Sequence, residues 1–179
     1  MNTKKTVAIL CTEGLEECEA LVTRDLLYRA GLDVKLYGKT KTVHSSREMS
    51  FVCDHTFEEA EGRLFDCLVL PGGMPGTLSL EADPLVQGLI DAHIEAGRYV
   101  AAICAAPSIL IHKGLISDNK FTCAPGFENG LTRAGEKSVI NGKIITACGL
   151  GGVMEFSYDI IRSLLNEDTA KDVWRKIGY

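Results

Sequence analysis

The chain has 179 residues, 46% hydrophobic and 24% charged, with 18 glycines, 5 prolines and a formal net charge of −5. That composition excludes collagen-like and disordered classes and suits one well-buried domain over residues 1–179 rather than two. Its 19 basic residues form no block or aromatic-basic alternation, so neither nucleic acid nor an anionic membrane is expected as a partner.

TVAILC (6–11) reads as a buried strand, too short to span a membrane and followed by acid rather than by a leader cleavage site, so a cytoplasmic protein is expected. EECEALVTRDLLYRAG (16–31) has the period of a helix, with Gly31 just past its end, and LDVKLYG reads as a second strand. The polar stretch from Thr40 to Asp54 is compatible with a hairpin or short edge strands, and TFEEA with a brief helical turn. FDCLVLPGG (65–73) is a strand entering a glycine turn. DPLVQGLIDAHIEAG (83–97) is a helix capped by Asp83, with Pro84 at its first position and Gly97 at its end.

YVAAIC reads as a central strand and AAPSILIHKGL as a short helix closed by Gly114. After a weakly patterned segment, SVINGKIIT predicts a hairpin with a type I′ turn at Asn141-Gly142, and two final helices follow in GGVMEFSYDIIRSLL and DTAKDVWRKIGY. Short β-branched runs alternating with helical segments imply an α/β fold, a mainly parallel central sheet with helices on both faces.

Seven cysteines form an odd set without a C-x-x-C pair, which argues for reduced thiols and against both a disulfide framework and a zinc site. No metal or organic cofactor is expected. Six of these cysteines read best as small buried hydrophobes.

Cys104 differs from them. In YVAAICAAPSILIH a proline stands three residues after it, where only the first helical turn tolerates one, so Cys104 falls at a strand-to-helix junction facing free backbone N–H groups. A thiolate favoured by the helix dipole is expected there. Gly72 and Gly73 end another strand in LVLPGGMPG, and their amides are candidates to hold an oxyanion. In CTEGLEECEA, Glu16, Glu17 and Glu19 crowd the first turns of a helix. Glu19 is the candidate for a buried carboxyl that donates to the sulfur and relays protons, whereas Glu16 and Glu17 read as solvated.

Together GLEECEA, VLPGGMPG, AAICAAPSIL and GLGGVMEF resemble the ThiJ/PfpI family, in the branch of the parkinsonism-associated protein deglycase, over nearly the whole chain. The resemblance implies a flavodoxin-like sandwich, a homodimer, Cys104 as nucleophile and redox-sensitive thiol, Glu19 as its carboxylic acid, and the Gly73 and Ala105 amides as anion site. It places Arg29 and Arg47 near the dimer-proximal side of the pocket, where a helix C-terminal cation and a loop cation are equally good readings, and lines the cleft with residues 149–152, including Gly149 and Gly151. Where many relatives carry histidine before a proline, this chain has Ala124 before Pro125. Ala105 and the lack of a late H-x-E pair lower the weight of protease or amidotransferase chemistry. The implied activity is glyoxalase or deglycase chemistry on a small aldehyde such as methylglyoxal. The alternatives are a redox sensor or redox-regulated chaperone acting through Cys104 sulfinate and, with less support, a small-ester or thioester hydrolase.

Overall fold

The computed structural model describes residues 4–179. Its elements follow the chain as β1 (Thr6–Cys11), α1 (Glu17–Arg29), β2 (Asp33–Gly38), β3 (Thr42–His44), β4 (Ser50–Val52), β5 (His55–Thr56), a 3₁₀ turn (Glu58–Ala60), β6 (Cys67–Leu70), α2 (Gly76–Ala82), α3 (Pro84–Glu95), β7 (Tyr99–Ile103), α4 (Pro107–His112), β8 (Ser138–Asn141), β9 (Ile144–Ala147), a second 3₁₀ turn (Leu150–Gly152), α5 (Val153–Leu164) and α6 (Glu167–Ile177).

Seven strands form the central sheet in the order β5-β2-β1-β6-β7-β9-β8. All pair in parallel except β8, which runs antiparallel to β9 at the edge. The strands are apolar on both faces because helices cover both. Val7, Ile9 and Cys11 face a core built with α1, α5 and α6, while Ala8 and Leu10 face one built with α2, α3 and α4. This is the flavodoxin-like α/β sandwich that the alternating pattern predicts.

Boundary chemistry follows the sequence closely. The Asp83 carboxylate accepts the Leu85 N–H and Pro84 opens α3, while Gly31, Gly97 and Gly114 each stand just beyond a helix with positive φ. The polar stretch yields the antiparallel pair β3–β4, separate from the main sheet. Two details differ. Helix α2 forms directly after the glycine turn, where no helix was expected. At the β8–β9 hairpin, Asn141 pairs with Ile144, and of the two loop residues only Gly142 has positive φ, the signature of a II′ rather than a I′ turn.

The topology sets the position of the site. The chain passes from β1 to β2 on one side and later fills the other side with β6 and β7, so a switch point opens at the carboxyl ends of β1 and β6. The loops after β1, β6 and β7 carry the three candidate segments to that edge.

Candidate active site

Cys104 is the first residue past β7 and has φ +65°, left-handed backbone that is rare outside glycine and costs about 1–3 kcal/mol. Hydrogen bonds on both sides fix it there: its N–H donates to the Ala147 carbonyl (2.9 Å) and its own carbonyl accepts from the Ala124 N–H (2.7 Å). The chain then turns into α4, whose first residue is Pro107. The bend presents the half-buried thiol to the backbone amides of Gly73 and Ala105, whose pull favours charge on the sulfur.

Glu19 arrives from α1, on the face of the sheet against which Cys104 itself packs. The Glu16 carboxylate caps α1 by accepting the Glu19 N–H (2.8 Å), which fixes the helix phase and turns Glu19 fully inward. Its Oε2 accepts the Gly72 N–H (2.9 Å), and its Oε1, buried and without a conventional hydrogen-bond partner, faces the Cys104 thiol. The close fit depends on small residues. A Cβ at Gly72 would lie 2.5 Å from the Cys104 Cβ and 2.8 Å from Glu19 Oε2, and one at Gly149 would lie 3.5 Å from the Cys104 Sγ.

Burial raises the Glu19 carboxyl from its ordinary 4.5 to about 7, while hydrogen bonds from Cys104 and Gly72 pull it back. Burial, and then the charge and hydrogen bond of Glu19, push the Cys104 thiol up to about 12, against the pull of the Gly73 and Ala105 amides. The expected dipole-stabilised thiolate therefore needs correction, because α4 spans only six residues and desolvation outweighs its dipole. Thiol and carboxyl behave as one unit that holds a single proton above about pH 7. With that proton on Glu19, the negative charge moves to the sulfur, where two amides receive it.

The profile of the DJ-1/PfpI family matches residues 5–163. The chain belongs to this family. Among its curated relatives, the glutathione-independent glyoxalase DJR-1.2 of Caenorhabditis elegans is 31% identical over 167 residues, covering 90% of this chain and 89% of the relative. Protein dj-1beta of Drosophila melanogaster is 30% identical with 94% of each covered. Oxidized Toxoplasma gondii DJ-1 superposes with a TM-score of 0.93 at 29% identity, and a cysteine-to-alanine mutant of a Salmonella typhimurium DJ-1 superfamily protein with 0.93 at 31%, each covering 98% of both chains.

Within this DJ-1/PfpI chain, the structure brings together Cys104, Glu19, Gly72, Gly73, Ala105 and Gly149. Gly72 has a different part from the one expected, since its amide anchors Glu19 and is not free for an oxyanion. Gly151 is exposed, with open space where a Cβ would point, and does not meet the sulfur. Arg29 lies on the last turn of α1, ten residues and ~15 Å along the axis from Glu19, paired with Asp25 at 2.6 Å. Arg47 is exposed in the β3–β4 turn, which is held over the loop after β1 by the Ser46 N–H donating to the Leu15 carbonyl (2.7 Å).

Each histidine is engaged elsewhere. His44 pairs with Glu13, His55 with Glu59 and His112 with Glu81, and buried His93 accepts the Phe65 N–H. Glu16 is a half-buried cap rather than a solvated carboxylate. Sequence reasoning missed the tie from Ala124 to the Cys104 carbonyl, although the family's proline motif marks that loop. Among the described residues, no group of three His, Cys, Asp or Glu side chains could hold a metal ion, and no helix is long and apolar enough to cross a membrane.

Proposed function

We propose that this protein is a cysteine-dependent glyoxalase or deglycase that converts methylglyoxal, or its adducts with amines and thiols, to lactate. The observation that carries this reading is the buried pair of Cys104 and Glu19, with a carboxyl oxygen that has only the sulfur to face. As the sulfur attacks the aldehyde carbon, Glu19 protonates the new alkoxide and leaves a hemithioacetal. The Glu19 carboxylate then removes the proton from C1 and returns it to C2, giving a lactoyl thioester. Water hydrolyses the thioester, so that methylglyoxal and one water give lactate and the free thiol. The Gly73 and Ala105 amides stabilise charge at the reacting sulfur and the adjoining oxygen. The name of the nematode relative supports this chemistry. The test is lactate formation from methylglyoxal by purified protein, with Cys104→Ser and Glu19→Gln as controls; activity retained in either variant removes that residue from the mechanism.

A second reading has support in the same donors. A peroxide can oxidise the Cys104 thiolate to sulfenate, releasing water, and a second peroxide takes it to sulfinate, whose oxygens the two amides and protonated Glu19 would hold. The oxidized Toxoplasma gondii relative favours this alternative, which predicts a gain of two oxygen atoms at Cys104 alone after mild peroxide. We further place the protein in a reducing cytoplasm, in keeping with its seven free cysteines. We read it as a homodimer, with exposed Tyr28 and Val52 as candidate contact residues. Light scattering at twice 19.4 kDa tests the assembly.

A further inference from the structure

A cavity of about 400 Å³ lies between the start of β8 and helices α5 and α6, and none of the residues gathered around Cys104 lines it. Its size falls in the range of small-molecule sites, about 300–1,000 Å³. Among the described residues, five buried side-chain nitrogen or oxygen atoms have no hydrogen-bond partner. One is Glu19 Oε1 at the nucleophile. Three of the others, Ser138 Oγ, Glu155 Oε2 and Trp174 Nε1, belong to residues that line this one cavity. Buried polar groups are nearly always paired, so three orphans in one wall mark a place where partners come from outside the chain.

The neighbouring polar groups are already engaged. Glu155 Oε1 accepts from Lys137 Nζ (3.0 Å) and from the Tyr179 hydroxyl (3.1 Å). Tyr158 donates to Glu167 (2.6 Å), and Arg162 Nε donates to Asp159 (2.8 Å). Burial raises the Glu155 carboxyl, but its hydrogen bonds and the Lys137 charge outweigh that and hold it below the usual range. Oε2 is therefore an acceptor only, the indole N–H is a donor only, and the Ser138 hydroxyl serves as either.

These roles narrow the ligand. An anion alone leaves Oε2 without a donor and meets three carboxylates, Glu136, Glu155 and Asp159, against two cations, Lys137 and Arg162. An amine alone leaves the indole N–H without an acceptor. We propose that the cavity binds a zwitterion of the α-amino-acid class, its ammonium on Glu155 Oε2 and its carboxylate on the Trp174 N–H and the Ser138 hydroxyl. The excess of carboxylates in the wall favours the ammonium end. The rings of Tyr158 and Trp174, with centroids 4.3 Å apart, offer apolar surface to the ligand's side chain. Lys137 and Arg162 are 55% and 42% exposed, long side chains free to rotate and admit it.

Trp174 is the one tryptophan of the chain, so its emission reads this site in the intact protein. L-Leucine is expected to change that emission saturably. Isocaproate, which lacks the ammonium, and leucinamide, which lacks the carboxylate, should each bind at least roughly tenfold more weakly. Glu155→Gln should weaken leucine by a similar factor and Ser138→Ala by less. Lys137→Gln breaks the same ion pair but keeps the Glu155 carboxylate, and should bind leucine as the wild type does. Calorimetry with the three ligands should give the same order without relying on the indole. No saturable response to leucine by either method overturns the site. Leucinamide or isocaproate binding as well as leucine overturns the zwitterion assignment. Wild-type affinity in Glu155→Gln, or equal losses in Glu155→Gln and Lys137→Gln, removes the ammonium from Oε2 and overturns the proposal as well.

Discussion

Cys11 is the last residue of β1 and Cys104 the first past β7, so both thiols stand at carboxyl ends of central strands and both are raised above an ordinary thiol. Their surroundings differ in kind. Cys11 keeps extended backbone in register with Gly38, and its thiol lies against Cys53 and weakly donates to the Ile9 carbonyl (3.7 Å). Cys104 bends into left-handed backbone and gains two amides and a carboxyl. What separates a packing thiol from a site is therefore neither burial nor a low thiol pKa. It is a neighbour able to take the proton, and amides ready for the charge left behind.

The widest separation should appear in turnover. Glu19→Gln, which keeps an acceptor for Gly72 but cannot carry the proton, is expected to lower lactate formation by roughly 100- to 10,000-fold. Cys104→Ser should reduce it to background, and Cys11→Ser should leave it at the wild-type level. A Cys11 variant as damaged as a Cys104 variant would erase the contrast.

Alkylation under native conditions sharpens it further. Below about pH 7 the Cys104–Glu19 pair takes up a second proton, so the rate at Cys104 should fall as pH drops through that value and stay level above it. In Glu19→Gln the inflection should vanish, and its persistence would assign it to another group. Cys11, fully buried, should react only after unfolding.

Stability gives a smaller signal of opposite sign to activity. Glu19 has its folded pKa raised from 4.5 to about 7, so the stability it contributes is fully present below pH 4.5 and is lost as pH rises through 7. The loss approaches about 3 kcal/mol. Glu19→Gln should thus melt above the wild type at pH ~8, by something like 6–12 °C, and match it in acid. Cys11→Ser should show no such pH dependence, and a Glu19→Gln protein equally displaced at both pH values would point to packing rather than ionisation.

Much of this contrast can be read from residue order. Pro107 after Cys104, Asp83-Pro84 and the terminal glycines carry local rules that hold whatever the tertiary setting, and they place the elbow and most helix ends. Tertiary facts are not encoded so locally. Nothing in GLEECEA says that Glu16 caps the helix and so rotates Glu19 inward. The Gly-Gly pair does not tell which amide serves the carboxyl and which the sulfur. Helix α2 starts at Gly76 and includes Ser79, poor helix formers that yield to packing of Leu80 against α3. The dipole at Pro107 is visible in sequence, whereas the desolvation that pushes the Cys104 thiol up is not.

The contrast can also be widened by addition. Ala124 stands where many relatives carry histidine, half-buried, its N–H already holding the Cys104 carbonyl at 2.7 Å. A histidine there would extend from a backbone position that is fixed relative to the nucleophile. It would offer the sulfur and its adduct a second proton acceptor with an ordinary pKa of about 6.5. Ala124→His should therefore raise kcat by roughly tenfold, below the usual yield of an acid–base group because Glu19 already does part of that work. A shoulder should appear on the acid limb of the pH–rate profile. The same substitution should leave Cys11 as inert as before. If kcat stays flat while the shoulder appears, proton transfer is not what limits turnover, and the thioester hydrolysis that releases lactate becomes the slow step to pursue.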